Sequence, residues 1–490
     1  MLEPAANRRG TAELGIGDLA DGLIEGIERA GRDTAAWFEP TLRLGVTGLS
    51  GAGKTVFITA LAASLMARGR MRLLSAEAEG RIIAVLPRPQ PDRQVPRFAY
   101  EDHLAMLTGP EPVWPRSTRQ VSQLRLSLRY RPGGYLSALG GPAVLNLDIV
   151  DYPGEWLLDL PLIDRDYAAW SAQALALAES PARREAARGW RAELAAADPA
   201  AEHGEPAAQA LAQAWTGYLG ACRAAGLSAL APGRFLMPGD LEGSPALTFA
   251  PLPRPETPAR GSLYTEMQAR FEAYKRVVVK PFFRDHFARL DRQVVLVDAL
   301  DALARGPRAL GDLTATMAET LACFRHGQSG WLDRLLGARR IDRILFAASK
   351  ADHLHHEQHP RLAGLVEAML AEAARRAAFR GAEVRGVALA AIRATVEQKI
   401  THDGAALALV RGPRLPDRRE AAVFPGELPA DPAALLAAAP GAAPADWPGA
   451  SYAAVKFAPP RWNGPGANGD GPPHIRLDAA LEYLIGDKLE

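Results

Sequence analysis

Hydrophobic residues recur along the chain in two rhythms, one helical and one alternating. Leu19, Leu23, Ile24 and Ile27, followed by Trp37 and Phe38, fall mostly at helical spacing and predict an amphipathic helix over 17–38. TLRLGV (41–46) reads as a strand, and KTVFITALAASLMARG (54–69) as a helix ending near Gly69. A Pro-rich stretch over 87–115 predicts a long irregular segment. Beyond it VSQLRLSLRY (121–130) alternates apolar and polar side chains as a half-buried strand does. Gly133, Gly134, Gly140 and Gly141 flank the connection to AVLNLDIV (143–150), so these two strands are expected to pair antiparallel.

From about Trp156 the composition becomes rich in Ala and Arg and predicts helices. Strand character returns in QVVLVDAL (293–300), RILFAASK (343–350) and EVRGVALAAIRAT (383–395), with helical stretches between them. Strands alternating with helices imply a parallel sheet covered on both faces. Short strands follow, ALALV (406–410) and YAAVKF (452–457), around the linker LPADPAALLAAAPGAAPADWPG (428–449). IRLDAALEYLIGDKL (475–489) closes the chain as an amphipathic helix. The expected organisation is an N-terminal helix (1–40), a first core part (41–155), a helical insertion (156–290), a second core part (291–400) and a C-terminal extension (401–490).

Bulk properties narrow the class. With 490 residues, 48% of them hydrophobic, most of the chain should fold. Its 57 Lys+Arg against 56 Asp+Glu give a net charge of +1, so no global field favours nucleic acid. Cys222 and Cys323 have no metal-ligand spacing and read as buried free thiols in a reducing compartment. The start of the chain has no apolar signal region, and the longest apolar run, Val56 to Met66, falls short of the roughly 18 residues of a membrane span. A cytoplasmic location is expected, with peripheral contact to the inner membrane through the N-terminal helix left open.

The candidate chemistry begins at GLSGAGKT (48–55), a full phosphate-loop pattern set between a predicted strand and a predicted helix. The backbone of Ser50, Gly51, Ala52 and Gly53 wraps phosphates, Lys54 reaches the β and γ phosphates, and Thr55 ligates Mg²⁺. LDIVDYPGE then places Asp151 and Gly154 in a D-x-x-G arrangement, the aspartate holding Mg²⁺ through water and the glycine N–H sensing the γ phosphate. FAASKAD places Lys350 and Asp352 close to the [N/T]-K-x-D segment of GTPases. There the carboxylate accepts two hydrogen bonds, from the guanine N1–H and exocyclic amine, which adenine does not offer. In ALAAIRAT, Ala391 and Ile392 are candidates for backbone contact with guanine O6. Thr118, just before the strand at 121–130, is the candidate switch threonine over Mg²⁺, with Ser117 the runner-up. Glu155 is the candidate for orienting water, and Arg116 and Arg119 are candidates for an arginine finger in cis.

In this order GLSGAGKT, WPRSTR, DYPGEWLLDLPL, VVLVDAL, SKADHLHHEQH and LAAIRAT resemble the YcjX-like family of bacterial P-loop GTPases. The resemblance implies a Ras-like P-loop core of α/β class with a mostly parallel sheet, a large helical insertion and a C-terminal α+β extension. It also implies GTP or GDP as ligand and a link to envelope or phage-shock stress responses. Carried over by position, Gly51, Gly53, Lys54, Thr55 and Val56 surround phosphates, Asp151 and Gly154 form the second switch, and Lys350 with Asp352 holds the base. Ser349 stands where threonine is expected. A slow switch is expected, with an unidentified protein partner on the insertion. Two other readings stay open: an ATPase in which Asp298 is the Mg²⁺-linked acid, and a nucleotide-dependent scaffold that does not hydrolyse. HLHHEQH (353–359) puts His355 and His359 four apart but matches no zinc motif, and reads as a polar helix start beside the base pocket.

Overall fold

A computed structural model describes residues 39–490 apart from 49–50, 117–119, 134–140, 323–340, 380–381, 403, 439–446, 448–454, 463 and 465–469. The helix expected over 17–38 and Cys323 therefore lie outside the described residues. Strand β1 (Thr41–Gly48) leads through the glycine-rich turn into α1 (Lys54–Ala67), which closes at Ala67 rather than Gly69. The irregular segment expected over 87–115 is corrected: it holds the end of strand β2 (Ile82–Arg88) and helix α2 (Tyr100–Thr108). Pro87 is tolerated because β2 is an edge strand, and α2 occupies the proline-free interval between Pro96 and Pro110, burying Tyr100 and Leu107.

Strands β3 (Ser122–Tyr130) and β4 (Ala143–Asp151) pair antiparallel, as their glycine-flanked connection implies, with Leu126 opposite Leu147. Three more strands, β5 (Arg292–Val297), β6 (Arg343–Ala348) and β7 (Glu383–Ala388), complete a seven-stranded sheet in the order β2-β3-β4-β1-β5-β6-β7. From β4 to β7 every neighbouring pair is parallel. Strand β5 ends before the expected DAL, because Asp298 accepts a hydrogen bond from the Asp301 N–H (3.1 Å) and starts a helix.

Between β4 and β5 the chain runs through α3 (Tyr167–Ala178), α4 (Arg188–Ala196), α5 (Glu205–Ala224), α6 (Leu263–Tyr274) and α7 (Lys280–Asp285). After β5 come α8 (Ala299–Ala304), α9 (Pro307–Ala322) and, after β6, α10 (His359–Phe379). A second sheet, antiparallel in the order β10-β9-β8, is formed by β8 (Val396–His402), β9 (Ala405–Pro413) and β10 (Glu420–Val423). The linker expected over 428–449 contains α11 (Pro432–Ala438), and the chain ends in α12 (Leu477–Ile485). Of the strand expected over 452–457, residues 452–454 lie outside the described residues, and Phe457 makes an isolated bridge to Arg414.

Alternate residues of the central strands enter different cores, as a sheet covered on both faces requires. Val295, Val297, Ile344 and Phe346 join a cluster that continues without a break into the insertion through Trp170, Trp215, Phe271 and Tyr274. Val294, Leu296, Leu345 and Ala347 face the opposite cluster, where α1 packs with Leu477, Leu481 and Leu484 of the closing helix. The insertion thus shares one core with the sheet.

Candidate functional site

Phosphate chemistry sits where the carboxyl ends of parallel strands open into loops. Val46 lies opposite Asp151, and Gly48 opposite Leu296, so the glycine-rich turn leaves the sheet between β4 and β5. Gly51 and Gly53 have φ of 88° and 84°, the left-handed region that strains any side chain. Gly48 answers a steric need instead: a Cβ there would come within 2.7 Å of the Leu296 carbonyl oxygen. Lys54 opens α1 and its Nζ pairs with the buried Asp151 carboxylate, which also lies 3.5 Å from Ser122 Oγ. Thr55 is buried, and its hydroxyl donates to the Arg116 carbonyl (3.4 Å). The Arg116 residue is itself exposed. Ser50, Ser117, Thr118 and Arg119 lie outside the described residues.

At the other end, Lys350 has φ of 61° and starts the turn Ala351–His353. Holding a non-glycine residue there costs on the order of 1 kcal/mol, the kind of local strain that functional turns carry. Lys350 Nζ pairs with Asp298, so this carboxylate already has a cation. The buried Asp352 carboxylate accepts the Ala394 N–H (2.8 Å), and its own carbonyl accepts the Thr395 hydroxyl. Ser349 Oγ donates to the Val297 carbonyl (3.3 Å). In the loop after β7 the N–H groups of Ala390 and Arg393 donate to the Ile475 and Pro473 carbonyls, while Ala391 and Ile392 line the cavity.

A cavity of about 290 Å³ joins the two ends. Gly51 to Val56, Gly154 and Glu155 line one end, and Lys350, Asp352, Ala391 and Ile392 the other. Part of its wall comes from residues to which the sequence pattern assigns no role at the site: Trp114, Met237, His353, Lys456 and Phe457. Trp114 Nε1 donates to the Phe457 carbonyl (2.8 Å), and the Phe457 ring meets His353 edge to face at 5.2 Å. Burial lowers the His353 imidazole below its usual range, so the ring is neutral at physiological pH.

The sequence profile of the YcjX-like family, DUF463, matches residues 42–489. The chain belongs to this family. It is 42% identical over 461 residues to the Ras-like GTPase YcjX of Escherichia coli, covering 91% of this chain and 96% of that protein. It is also 37% identical over 479 residues to the Ras-like GTPase YcjX of Shewanella oneidensis strain MR-1, covering 92% and 95%. With sheet order, phosphate loop and relatives in agreement, the fold is a Ras-like P-loop core with a helical insertion and a C-terminal α+β extension.

In this YcjX-like chain the stretch after Gly154 is wedged into the insertion. Residues Gly154–Asp164 form 3₁₀ turns, nearly all buried. Trp156 Nε1 donates to the Met237 carbonyl (2.9 Å), and the Arg234 guanidinium lies 3.1 Å from the Trp156 ring centroid. Asp159 accepts the Gly233 N–H and the Tyr274 hydroxyl, each at 2.6 Å. Burial, partly offset by those two bonds, pushes Asp159 up to about 6.

The histidine-rich turn resolves differently from the pair that its spacing suggests. His359 Nε2 is taken by the Ala351 and Leu354 carbonyls and its Nδ1 meets Arg476, while His355, His356 and Glu357 cluster. The carboxylates at this cluster already have cations, Lys399 on Glu357 (2.6 Å) and Arg393 near Glu397 (3.6 Å). Among the described residues the turn therefore reads as a polar helix start that links the Lys350–Asp352 turn to β8.

Proposed function

We propose that this protein is a slow GTPase switch that binds guanine nucleotide and hydrolyses GTP to GDP and phosphate. The observation that carries the reading is the single cavity with Lys54 and Thr55 at one end and Asp352 with Ala391 and Ile392 at the other. Asp352 grips the guanine edge, Ala391 or Ile392 meets O6 through its N–H, and Gly154 senses the γ phosphate. The names of both relatives support the same activity.

The Thr55 hydroxyl and the Asp151 carboxylate are hard oxygen donors beside Lys54, a set that suits Mg²⁺. When bound, that ion neutralises phosphate charge. For the chain itself, the phosphate-loop amides and Lys54 orient the triphosphate, and Glu155 orients a water toward the γ phosphorus. Water oxygen bonds to that phosphorus as its bond to the β–γ bridging oxygen breaks, the electron pair leaving on GDP. The protons of the water pass to phosphate and solvent.

The pairing of Lys54 with Asp151 and of Asp298 with Lys350 favours this reading over an ATPase acid at Asp298. Thr118 closing over the nucleotide, a protein partner on the insertion, peripheral membrane contact and a stress-response role complete the proposal. Among the described residues no helix is long and apolar enough to cross a membrane.

Multiple-turnover phosphate release tests the proposal. GTP should turn over at about 10⁻⁴ to 10⁻² per second in magnesium buffer, and Lys54→Ala should abolish it. Equal release from ATP, or release that survives Lys54→Ala, would overturn it.

A further inference from the structure

Glu155 raises an electrostatic question. A carboxylate next to a triphosphate is repelled by it, and burial makes the repulsion stronger. Glu155 is buried and lines the nucleotide cavity directly after Gly154. It also lines a second cavity of about 230 Å³, bounded by Ala52 of the phosphate loop, by Asp298 and by Arg223 at the end of insertion helix α5. Arg223 Nη2 lies 3.2 Å from Glu155 Oε1, and Arg223 Nη1 lies 3.7 Å from the sulfur of Met237, which itself lines the nucleotide cavity. The ion pair is close but not aligned as a hydrogen bond, so Oε1, shut off from solvent, has Arg223 as its charge partner and no hydrogen bond. From the other side Gly233 seats against the Glu155 backbone, so tightly that a Cβ would overlap the Glu155 carbonyl oxygen.

We propose that Arg223, carried to the site by the helical insertion, is the positioning residue that lets Glu155 work beside the γ phosphate. The guanidinium cancels the carboxylate charge and anchors Oε1 in the interior, which leaves Oε2 to orient the attacking water. Hydrolysis is thereby coupled to the seating of the insertion: a partner that shifts α5 moves the counter-charge and changes the turnover rate without touching the nucleotide. The inference rests on the GTPase reading above.

The test is a double-mutant cycle in the full chain, with GDP affinity measured alongside turnover. Arg223→Met keeps the apolar stem and removes the charge; it should lower kcat by about tenfold or more and weaken GTP binding, while GDP, which has no γ phosphate, binds as before. Arg223→Lys should recover much of the loss. In a Glu155→Gln background there is no carboxylate charge to cancel, so adding Arg223→Met should cost less than about twofold. A purely structural role for Arg223 would give the same fold-loss in both backgrounds, and that result, like an unchanged kcat in Arg223→Met alone, would overturn the proposal. GDP affinity should stay at the wild-type level in every variant. A wild-type chain that binds no GDP would instead sink the nucleotide reading itself, so the two failures are distinguishable.

Discussion

At the scale of single residues, the base-side reading rests on which edge of a purine Asp352 accepts. Guanine offers two donors, N1–H and the exocyclic amine, to one carboxylate, and each charge-assisted bond contributes about 1.5–3 kcal/mol. Xanthine carries a carbonyl where guanine carries the amine, so an amide side chain matches it better. Asp352→Asn is expected to weaken GDP binding by at least tenfold, on the order of one such bond, and to gain xanthosine diphosphate, read by competition against a fluorescent nucleotide. Loss of both nucleotides to the same degree would contradict the role. The residues of this pocket were unevenly legible. Lys54, Asp151 and Asp352 each sit in a short contiguous pattern whose spacing is dictated by a strand end and the turn after it. Trp114 and Phe457 are 343 positions apart, joined by one indole hydrogen bond, and no local pattern announces a contact of that range. Arg223 was hidden for a related reason: near the end of an Ala-rich helix, a lone arginine is not distinguished by its spacing from a solvated charge.

At the scale of elements, the segment Gly154–Asp164 is where core and insertion meet. Its sequence, GEWLLDLPLID, marks it as apolar, but the partner face emerges only from folding, when Gly233, Arg234 and Tyr274 close around it. Gly233→Ala should cost about 1–3 kcal/mol by overpacking against the Glu155 carbonyl, seen as a lower denaturant midpoint. Asp159 makes the same junction pH-sensitive. Its carboxyl is held near 6 in the folded chain against an ordinary 3.8, so the folded state binds the proton more tightly. The stability that this proton contributes is present below about pH 4 and is lost as pH rises through 6. Asp159→Asn keeps an acceptor for the Gly233 N–H and a donor for the Tyr274 oxygen without a charge. Relative to that variant the wild-type chain should lose about 2–3 kcal/mol between pH 4 and 7, measured by urea unfolding across that range. Parallel curves for the two proteins would contradict this account. The short α2 shows the limit of pattern reading in another way: prolines at both ends of a segment argue for irregular chain, yet the interval between them is long enough for two helical turns that bury Tyr100 and Leu107.

At the scale of the whole molecule, one hydrophobic cluster runs from the sheet into the insertion, while α12 seals the opposite face against α1. Strands alternating with helices foretold a sheet covered on both faces, because parallel neighbours are joined by helical crossovers that pack on it. That the insertion would share the core was not legible, since Ala-rich helices carry little that specifies which surface they meet. A shared core implies that insertion and sheet unfold together, so tryptophan fluorescence and far-UV dichroism should report coincident thermal transitions. Two separated transitions would show that the insertion folds as an independent body. Nucleotide binding at the carboxyl ends of the central strands should raise this common transition, by RT ln(1 + [L]/Kd) in free energy. The central claim, that the cavity between Lys54 and Asp352 is built for a guanine nucleotide, is tested most directly by calorimetric titration of the full chain with GDP and with ADP in magnesium buffer. Saturable heat with one GDP per chain, at least tenfold weaker with ADP and lost in Lys54→Ala, is the result expected. Equal affinity for ADP, or no heat with GDP, would contradict it.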